Sequence, residues 1–124
     1  MIAADSSTII AFIQNDDGPD VQLLDSNLAA GTIVIPPVVL AEVTSDPRLP
    51  AKHLELVQSF PVLELLDGYW TRAGLSRARV LSMKLRARLP DALIAQSCID
   101  HDVALIQRDG DFRHFANYCG LKLA

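Results

Sequence analysis

Short apolar segments alternate with longer amphipathic segments along the chain, and this alternation restricts its possible folds more than any other feature. We predict strands at residues 2–4, 32–35, 61–65 and 103–107, with a possible edge strand at 121–123. The intervening segments have helical periodicity. Strands that alternate with helices form a parallel sheet with helices on both faces. We therefore predict an α/β fold with a central, mainly parallel sheet of four or five strands.

Length and composition limit the class of protein. A chain of 124 residues can bury a proper core but has no room for a second domain, so we expect one domain over residues 1–124. There is no basic segment of the secretory type and no apolar run long enough to cross a membrane. The two cysteines lack the spacing of a disulfide framework. We expect a cytoplasmic protein with no membrane association.

The charge distribution is strongly asymmetric. The net charge of −4 argues by itself against nucleic-acid binding, which is usually associated with basic surfaces. However, residues 68–90 contain six basic residues and no acidic one, whereas residues 1–67 contain ten acidic and two basic residues. Three of the bases, Arg72, Arg79 and Arg86, recur every seven residues along a predicted helix from Tyr69 to about Arg86. This basic segment is either a solvated helix face or a surface for a phosphate backbone.

The same long helix has an apolar stripe. Its members recur at steps of three and four residues, and we predict that they are buried: Trp70, Gly74, Ala78, Leu81 and Leu85. Trp70 is therefore predicted to be a core residue rather than a platform for base stacking.

Acidic residues follow the predicted strands. Asp5 comes directly after the first strand, and Asp109 comes two residues after the fourth. Glu42 lies on the helix after the second strand, and Asp91 lies in the first turn of a helix opened by proline. Ligands of parallel α/β sheets bind beyond the carboxyl ends of the strands, where these acids are expected. Each acid also has a structural explanation of its own. Asp5 could be a helix N-cap and Asp91 a first-turn acid. Asp109 could be a turn residue, and Glu42 a solvated side chain.

Four carboxylates in one crevice repel each other, so they require protons or a cation. The predicted ligands are all oxygens, and the three histidines share no spacing with the acids. This chemistry favours Mg²⁺ or Mn²⁺ over zinc. Such an ion can activate water for attack on a phosphodiester.

Four segments occur in an order that resembles the PIN-domain ribonucleases, and most closely the VapC-type toxins of bacterial toxin–antitoxin pairs. The segments are DSS at 5–7, VLAEV at 39–43, PDALIAQ at 90–96 and RDGDF at 108–112. The last two are fairly specific together, and the resemblance covers essentially the whole chain. It implies a three-layer α/β/α sandwich and Mg²⁺- or Mn²⁺-dependent endonucleolytic cleavage of RNA, often tRNA or ribosomal RNA.

The resemblance also implies roles for individual residues. The catalytic and metal-binding quartet would be Asp5, Glu42, Asp91 and Asp109, with Asp111 as an auxiliary acid and Ser6 or Ser7 as a hydroxyl near Asp5. The family usually forms homodimers, and an antitoxin protein covers the acidic groove of its toxins. We expect five arginines to bind the phosphates that flank the cleaved bond: Arg72, Arg79, Arg86, Arg108 and Arg113.

One position departs from the family. Gln107 stands two residues before the fourth acid, where the family commonly has Thr or Ser, so we expect a change in local geometry without loss of the four acids. Three alternatives remain. They are a PIN nuclease without a toxin role, an inactive PIN-fold interaction module, and a phosphoacceptor receiver domain. A receiver domain needs a lysine at the end of a late strand to hold the phosphoryl group. The last lysine of this chain, Lys122, lies almost at the end of the sequence and is in the wrong place for that role.

Overall fold

The computed structural model describes residues 1–124 as three strands and seven helices. The strands are β1 (Ile2–Ala4), β2 (Ile33–Val34) and β3 (Leu105–Ile106). The helices are α1 (Ser6–Ile13), α2 (Pro19–Ala30), α3 (Pro37–Thr44), α4 (Ala51–Ser59), α5 (Tyr69–Ser82), α6 (Leu89–His101) and α7 (Arg113–Cys119). None of these helices is both long enough and apolar enough to cross a membrane.

The sheet is parallel and has β1 at its centre. Its strand order is β2-β1-β3, with Ile2 opposite Ile33 and Ala3 opposite Leu105. This confirms the predicted α/β class. The segments predicted as strands at 61–65 and 121–123 each form a single parallel bridge, Val62 to Ile35 and Leu123 to Leu105. Val62 and Leu123 are exposed at the two edges of the sheet. Little apolar surface is therefore buried there that would favour a longer strand.

Both faces of the central strand are covered. Neighbouring residues of a strand point to opposite faces, and Ala3 and Ala4 are both fully buried. Their small side chains let the helices approach the sheet closely. The surrounding core is aliphatic and aromatic, and it draws on helices from both halves of the chain, including Ile9, Val39, Val57, Ile94 and Phe115.

The buried face of α5 differs from the predicted one. Trp70 is 64% exposed and Leu81 is 43% exposed, so the prediction that Trp70 is a core residue is wrong. The buried residues are instead Tyr69, Ala73 and Val80, on the side that packs against α6 and α7. The helix is apolar on two sides, and periodicity could not show which one is covered. The Tyr69 hydroxyl donates to the Leu93 carbonyl at 2.6 Å, which satisfies its polar group in the core.

An ion pair joins α5 to α6. Arg72 donates from Nε to Asp100 Oδ1 at 3.0 Å and from Nη2 to Oδ2 at 2.6 Å. Its Nη1 donates to the Asp67 carbonyl at 2.7 Å. The Asp100 side chain is only 7% exposed and also accepts from Gln96 at 2.8 Å. Because every nitrogen of the Arg72 guanidinium is engaged, the structure argues against its predicted contact with a phosphate.

Replacing Arg72 by methionine should destabilise the fold. The hydrogen bonds from Arg72, and its charge, hold the pKa of Asp100 below its usual range. The substitution leaves the Asp100 carboxylate, whose side chain is 7% exposed, without its cationic partner, so we expect a measurable loss in the free energy of unfolding at pH 7. The lowered pKa means that the parent loses this contribution as the pH falls below about 4, because the denatured state binds the proton first.

Denaturant unfolding between pH 7 and pH 3 measures both effects. The difference between the parent and Arg72→Met should shrink toward pH 3. Arg79→Met is the matched control, because Arg79 is exposed on the same helix and forms no ion pair. Equal losses in the two variants would show that the Asp100 pair contributes nothing specific.

Candidate active site

Asp5 lies at the carboxyl end of the central strand. Its backbone N–H donates to the Ile106 carbonyl at 2.9 Å, which fixes it beside the end of β3. Asp5 is also the N-cap of α1, and its Oδ2 accepts from the Ser7 N–H at 3.3 Å and the Ser7 hydroxyl at 2.6 Å. The residue is 4% exposed. The capping role and a functional role are therefore compatible, because Oδ2 caps the helix while Oδ1 has only a long contact with Ser6, at 3.5 Å.

Ser6 connects Asp5 with Glu42. Its hydroxyl lies 2.9 Å from Glu42 Oε1, a contact between residues 36 positions apart. Glu42 is exposed on α3, and this hydrogen bond brings its carboxylate to the Asp5 side of the sheet. Both predicted hydroxyls thus lie next to Asp5, with different partners.

Asp91 is half-buried in the first turn of α6. Burial raises the pKa of Asp91 to about 6; Arg88 opposes this shift, and the negative charges of Asp111, Asp5 and Asp109 add to it. Burial also raises the pKa of Asp5, against its hydrogen bonds from serine, with a smaller contribution from Asp109. Charges influence each other's pKa over short distances. The geometry agrees with this, because Asp91 and Asp111 line one cleft and Asp5 lies beside the end of β3, which leads to Asp109.

Gln107 shapes the loop that carries Asp109. Its Oε1 accepts from the Gly110 N–H at 2.7 Å, and Asp109 Oδ1 accepts from the Asp111 N–H at 3.2 Å. Gly110 has a φ of 77°, a left-handed conformation that glycine adopts without strain. The amide at the position of the family's small hydroxyl therefore acts as an acceptor that fixes this turn.

A second network anchors the same loop. Arg108 Nε lies 3.0 Å from Asp20 Oδ2, its Nη2 lies 2.7 Å from the Asp17 carbonyl, and the Thr8 hydroxyl donates to Asp20 Oδ2 at 3.0 Å. Asp20 therefore ties α1, one turn after Asp5, to the residue that precedes Asp109. This engagement argues against the predicted phosphate contact of Arg108.

The remaining predicted arginines separate into two groups. Arg86 and Arg113 line a small polar cleft together with Asp91, Asp111 and two residues that the prediction missed, Arg88 and His114. Arg79 lies elsewhere, in a groove between α5 and α7. The position of Arg88 directly before the proline-opened helix of Asp91 is the sequence signal that could have identified it.

The carboxylate oxygens are the donor type that a hard cation prefers, but they do not form a coordination site as they stand. No group of three or more His, Cys, Asp or Glu side chains stands close enough together to hold a metal ion. However, the donors are all oxygens, and Glu42 and Asp109 are exposed. Burial, and to a smaller degree the charges of nearby carboxylates, disfavour the ionised form of Asp91, so a cation would relieve this penalty. The residues fit Mg²⁺ or Mn²⁺ on these grounds.

The structural class is an α/β fold with a parallel sheet and carboxylates beyond the carboxyl ends of its strands. The PIN domain family matches residues 2–118, and the chain belongs to this family. No curated protein sequence matches the chain.

Solved structures share the fold at low identity. VapBC2 from Rickettsia felis, bound to a promoter DNA fragment, is 21% identical with a TM-score of 0.69, covering 100% of this chain and 98% of that one. FitAcB from Neisseria gonorrhoeae is 14% identical with a TM-score of 0.71, covering 99% and 96%. FitAB bound to the IR36 DNA fragment is 15% identical with a TM-score of 0.69, covering 100% and 94%.

Replacing Asp91 by asparagine should stabilise the metal-free protein. Burial, and to a smaller degree the neighbouring carboxylates, disfavour the charge that this substitution removes. Because solvent screens a half-exposed group, we expect the free energy of unfolding at pH 7.5 in EDTA to rise by less than about 1 kcal/mol. Asp25→Asn is the control, because Asp25 is exposed on α2 outside the site. Thermal unfolding of both variants measures the effect, and a lower melting temperature for Asp91→Asn would contradict this expectation.

Proposed function

We propose that this PIN domain is a Mg²⁺- or Mn²⁺-dependent endoribonuclease and the toxin of a toxin–antitoxin pair, acting in the cytoplasm. One observation carries the proposal. The N–H of Asp5 donates to the Ile106 carbonyl, which places Asp5 beside the end of the strand that leads to Asp109, and the Ser6 hydroxyl contacts both Asp5 and Glu42. PIN domains are generally nucleases that use divalent metal ions.

The carboxylates have distinct proposed roles. Asp5, Asp91 and Asp109 would hold the cation, directly or through water, and Glu42 would help to hold it or a second ion. When bound, the cation supplies water activation and charge stabilisation at the phosphodiester. Glu42 or Asp91 accepts the proton of the attacking water. Asp111 acts as an auxiliary acid.

The serines position two of these carboxylates. Ser7 engages Oδ2 of Asp5 and leaves Oδ1 with only the long contact from Ser6, so Oδ1 is the atom that we propose faces the cation. The 2.9 Å contact of Ser6 orients Glu42. Both hydroxyls act through the acids rather than on the substrate.

The toxin role and the antitoxin partner have separate support. The solved structures named above are of VapBC2, FitAcB and FitAB, two of them bound to DNA fragments, and the chain aligns with them over almost its full length. We propose a cognate antitoxin protein as the partner and tRNA or ribosomal RNA as the substrate. A PIN nuclease of RNA processing without a toxin role, or an inactive PIN-fold interaction module, would have the same fold and is separated by the experiment below.

The outer face of α5 supports a homodimer. Leu75 is 65% exposed and Trp70 is 64% exposed, and the small residues Gly74 and Ala78 are exposed between them. Large apolar side chains gathered on one helix face are typical of protein interfaces. We propose that this face packs against a second copy of the chain.

Replacing Asp5 by asparagine should abolish RNA cleavage without unfolding the protein. The amide keeps an oxygen for the Ser7 contacts but removes the charge that holds the cation, so we expect a loss of at least about a hundredfold in kcat. Sequencing of RNA ends after brief expression measures cleavage, and growth arrest measures toxicity. EDTA should abolish the activity, and Mg²⁺ or Mn²⁺ should restore it.

Asp25→Asn is the control for this experiment and should cleave as the parent does. Cleavage by Asp5→Asn at the parent's rate would overturn the proposed site. Cleavage without growth arrest would favour a nuclease without a toxin role. A parent that neither binds divalent metal nor cleaves RNA would favour the inactive module.

Replacing Leu75 by glutamate should convert the proposed homodimer to a monomer. A charge on each side of an apolar interface loses its hydration on association, which costs several kcal/mol. Sedimentation equilibrium of the parent and Leu75→Glu measures the mass. Glu55→Gln on α4, an exposed control position, should leave the mass unchanged. A parent that is already monomeric at high concentration would rule out the dimer.

A further inference from the structure

We infer that the polar cleft lined by Arg86, Arg88, Arg113 and His114 binds a backbone phosphate adjacent to the one that is cut. This inference rests on the proposed nuclease function and identifies where the substrate strand continues. The cleft has no hydrophobic lining residue, and its other two walls are Asp91 and Asp111. It therefore adjoins the proposed active site directly.

The chain builds one wall of the cleft from the segment between α5 and α6. Ala87 is buried, and its carbonyl accepts from Arg77 Nε at 2.9 Å. Arg88 has an extended backbone, in which consecutive side chains alternate in direction. Burial of Ala87 therefore directs Arg86 and Arg88 outward, and both reach the cleft.

Another part of the lining comes from the start of α7. Arg113 is the first residue of that helix, and its Nη1 donates to the Gly110 carbonyl at 3.2 Å. This contact holds the guanidinium over the loop that carries Asp109 and Asp111. Two separate segments therefore place cations in the lining of one cleft.

The three arginines of the cleft lack ion-pair partners. The protein has four ion pairs, and none includes Arg86, Arg88 or Arg113, although Asp91 and Asp111 line the same cleft. Arg72 and Arg108, in contrast, are paired with Asp100 and Asp20. Guanidinium groups without an ion-pair partner are suited to bidentate contacts with phosphate oxygens.

The balance of charge in the cleft also favours an anion. Three guanidinium groups face two carboxylates, so the cleft is net positive even with neutral His114 and no cation. Its ligand is a phosphodiester of a single RNA strand, because the proposed substrate supplies that group beside the acids. Contacts to phosphates carry no base information, so this cleft contributes affinity and position but not sequence selectivity.

Binding of RNA by an inactive variant tests the inference without relying on cleavage. The background is Asp5→Asn, and the probe is a fluorescein-labelled single-stranded RNA of twelve nucleotides in Mg²⁺. Adding Arg86→Gln and Arg88→Gln should weaken binding roughly tenfold at low salt and lower the slope of log affinity against log salt by about 0.7 per lost contact. Arg113→Gln alone should lower the slope by about half as much as the pair.

Lys52→Gln in the same background is the matched control. It removes one positive charge from the exposed surface of α4, outside the cleft, and should leave affinity and slope unchanged. In the active background, the paired substitution should raise KM more than it lowers kcat. Thermal unfolding checks that each variant is folded.

The two proposals fail in different ways. Unchanged RNA affinity on removal of Arg86 and Arg88, or an equal loss with Lys52→Gln, would overturn the cleft while leaving the cleavage result untouched. Cleavage by Asp5→Asn at the parent's rate would overturn the carboxylate site, while the KM comparison in the active background would still report on the cleft.

Discussion

Burial of carboxylates at the end of a parallel sheet is the constraint on which the rest of this structure depends. The central strand ends in Asp5, which is almost fully buried, and burial, with a smaller contribution from the charge of Asp109, raises the pKa of Asp5. Such an arrangement is tolerated only where neighbouring donors hold the acids in place. The serines that follow Asp5 supply those donors for it and for Glu42. The site is therefore built by α1 as much as by the sheet.

The cost of collecting these charges is offset by pairs outside the site. Asp20 receives hydrogen bonds from Thr8 and Arg108, which fixes the entrance of α1 relative to the loop of Asp109. Burial alone would raise the pKa of Asp20, but the hydrogen bonds from Arg108 and Thr8 and the charge of Arg108 lower it. Folding therefore favours the charged form of Asp20. The favourable ion pair of Asp20 and Arg108 thus lies next to the segments that carry the acids with unfavourable burial. Charges that burial disfavours are typical of functional sites.

The acids were predictable from the sequence because their signals are local. A strand end, a proline at a helix start and an Asp-Gly turn each mark a position without knowledge of the tertiary structure, and the parallel sheet then brings Asp5 and Asp109 together. The buried face of α5 was not predictable. That helix is apolar around both Trp70 and Tyr69, and only the packing of α6, with a carbonyl at Leu93 for the tyrosine hydroxyl, decides between them. The sequence shows that Gln107 is unusual at its position. That its side-chain oxygen accepts from the Gly110 N–H depends on the backbone conformation of the turn and could not be predicted.

The basic segment shows how backbone position decides what a charge does. Arg72 and Arg77 lie on α5 where neighbouring carboxylate or carbonyl groups are within reach, and both are used for packing. The helix ends at Ser82 rather than near Arg86, and Lys84 follows with a left-handed φ of 60°. This early end releases the next residues from the helix, so that Arg86 and Arg88 reach the first turn of α6. Had the helix continued as predicted, Arg86 would have stayed on its outer surface with Arg79, outside the cleft that borders the acids.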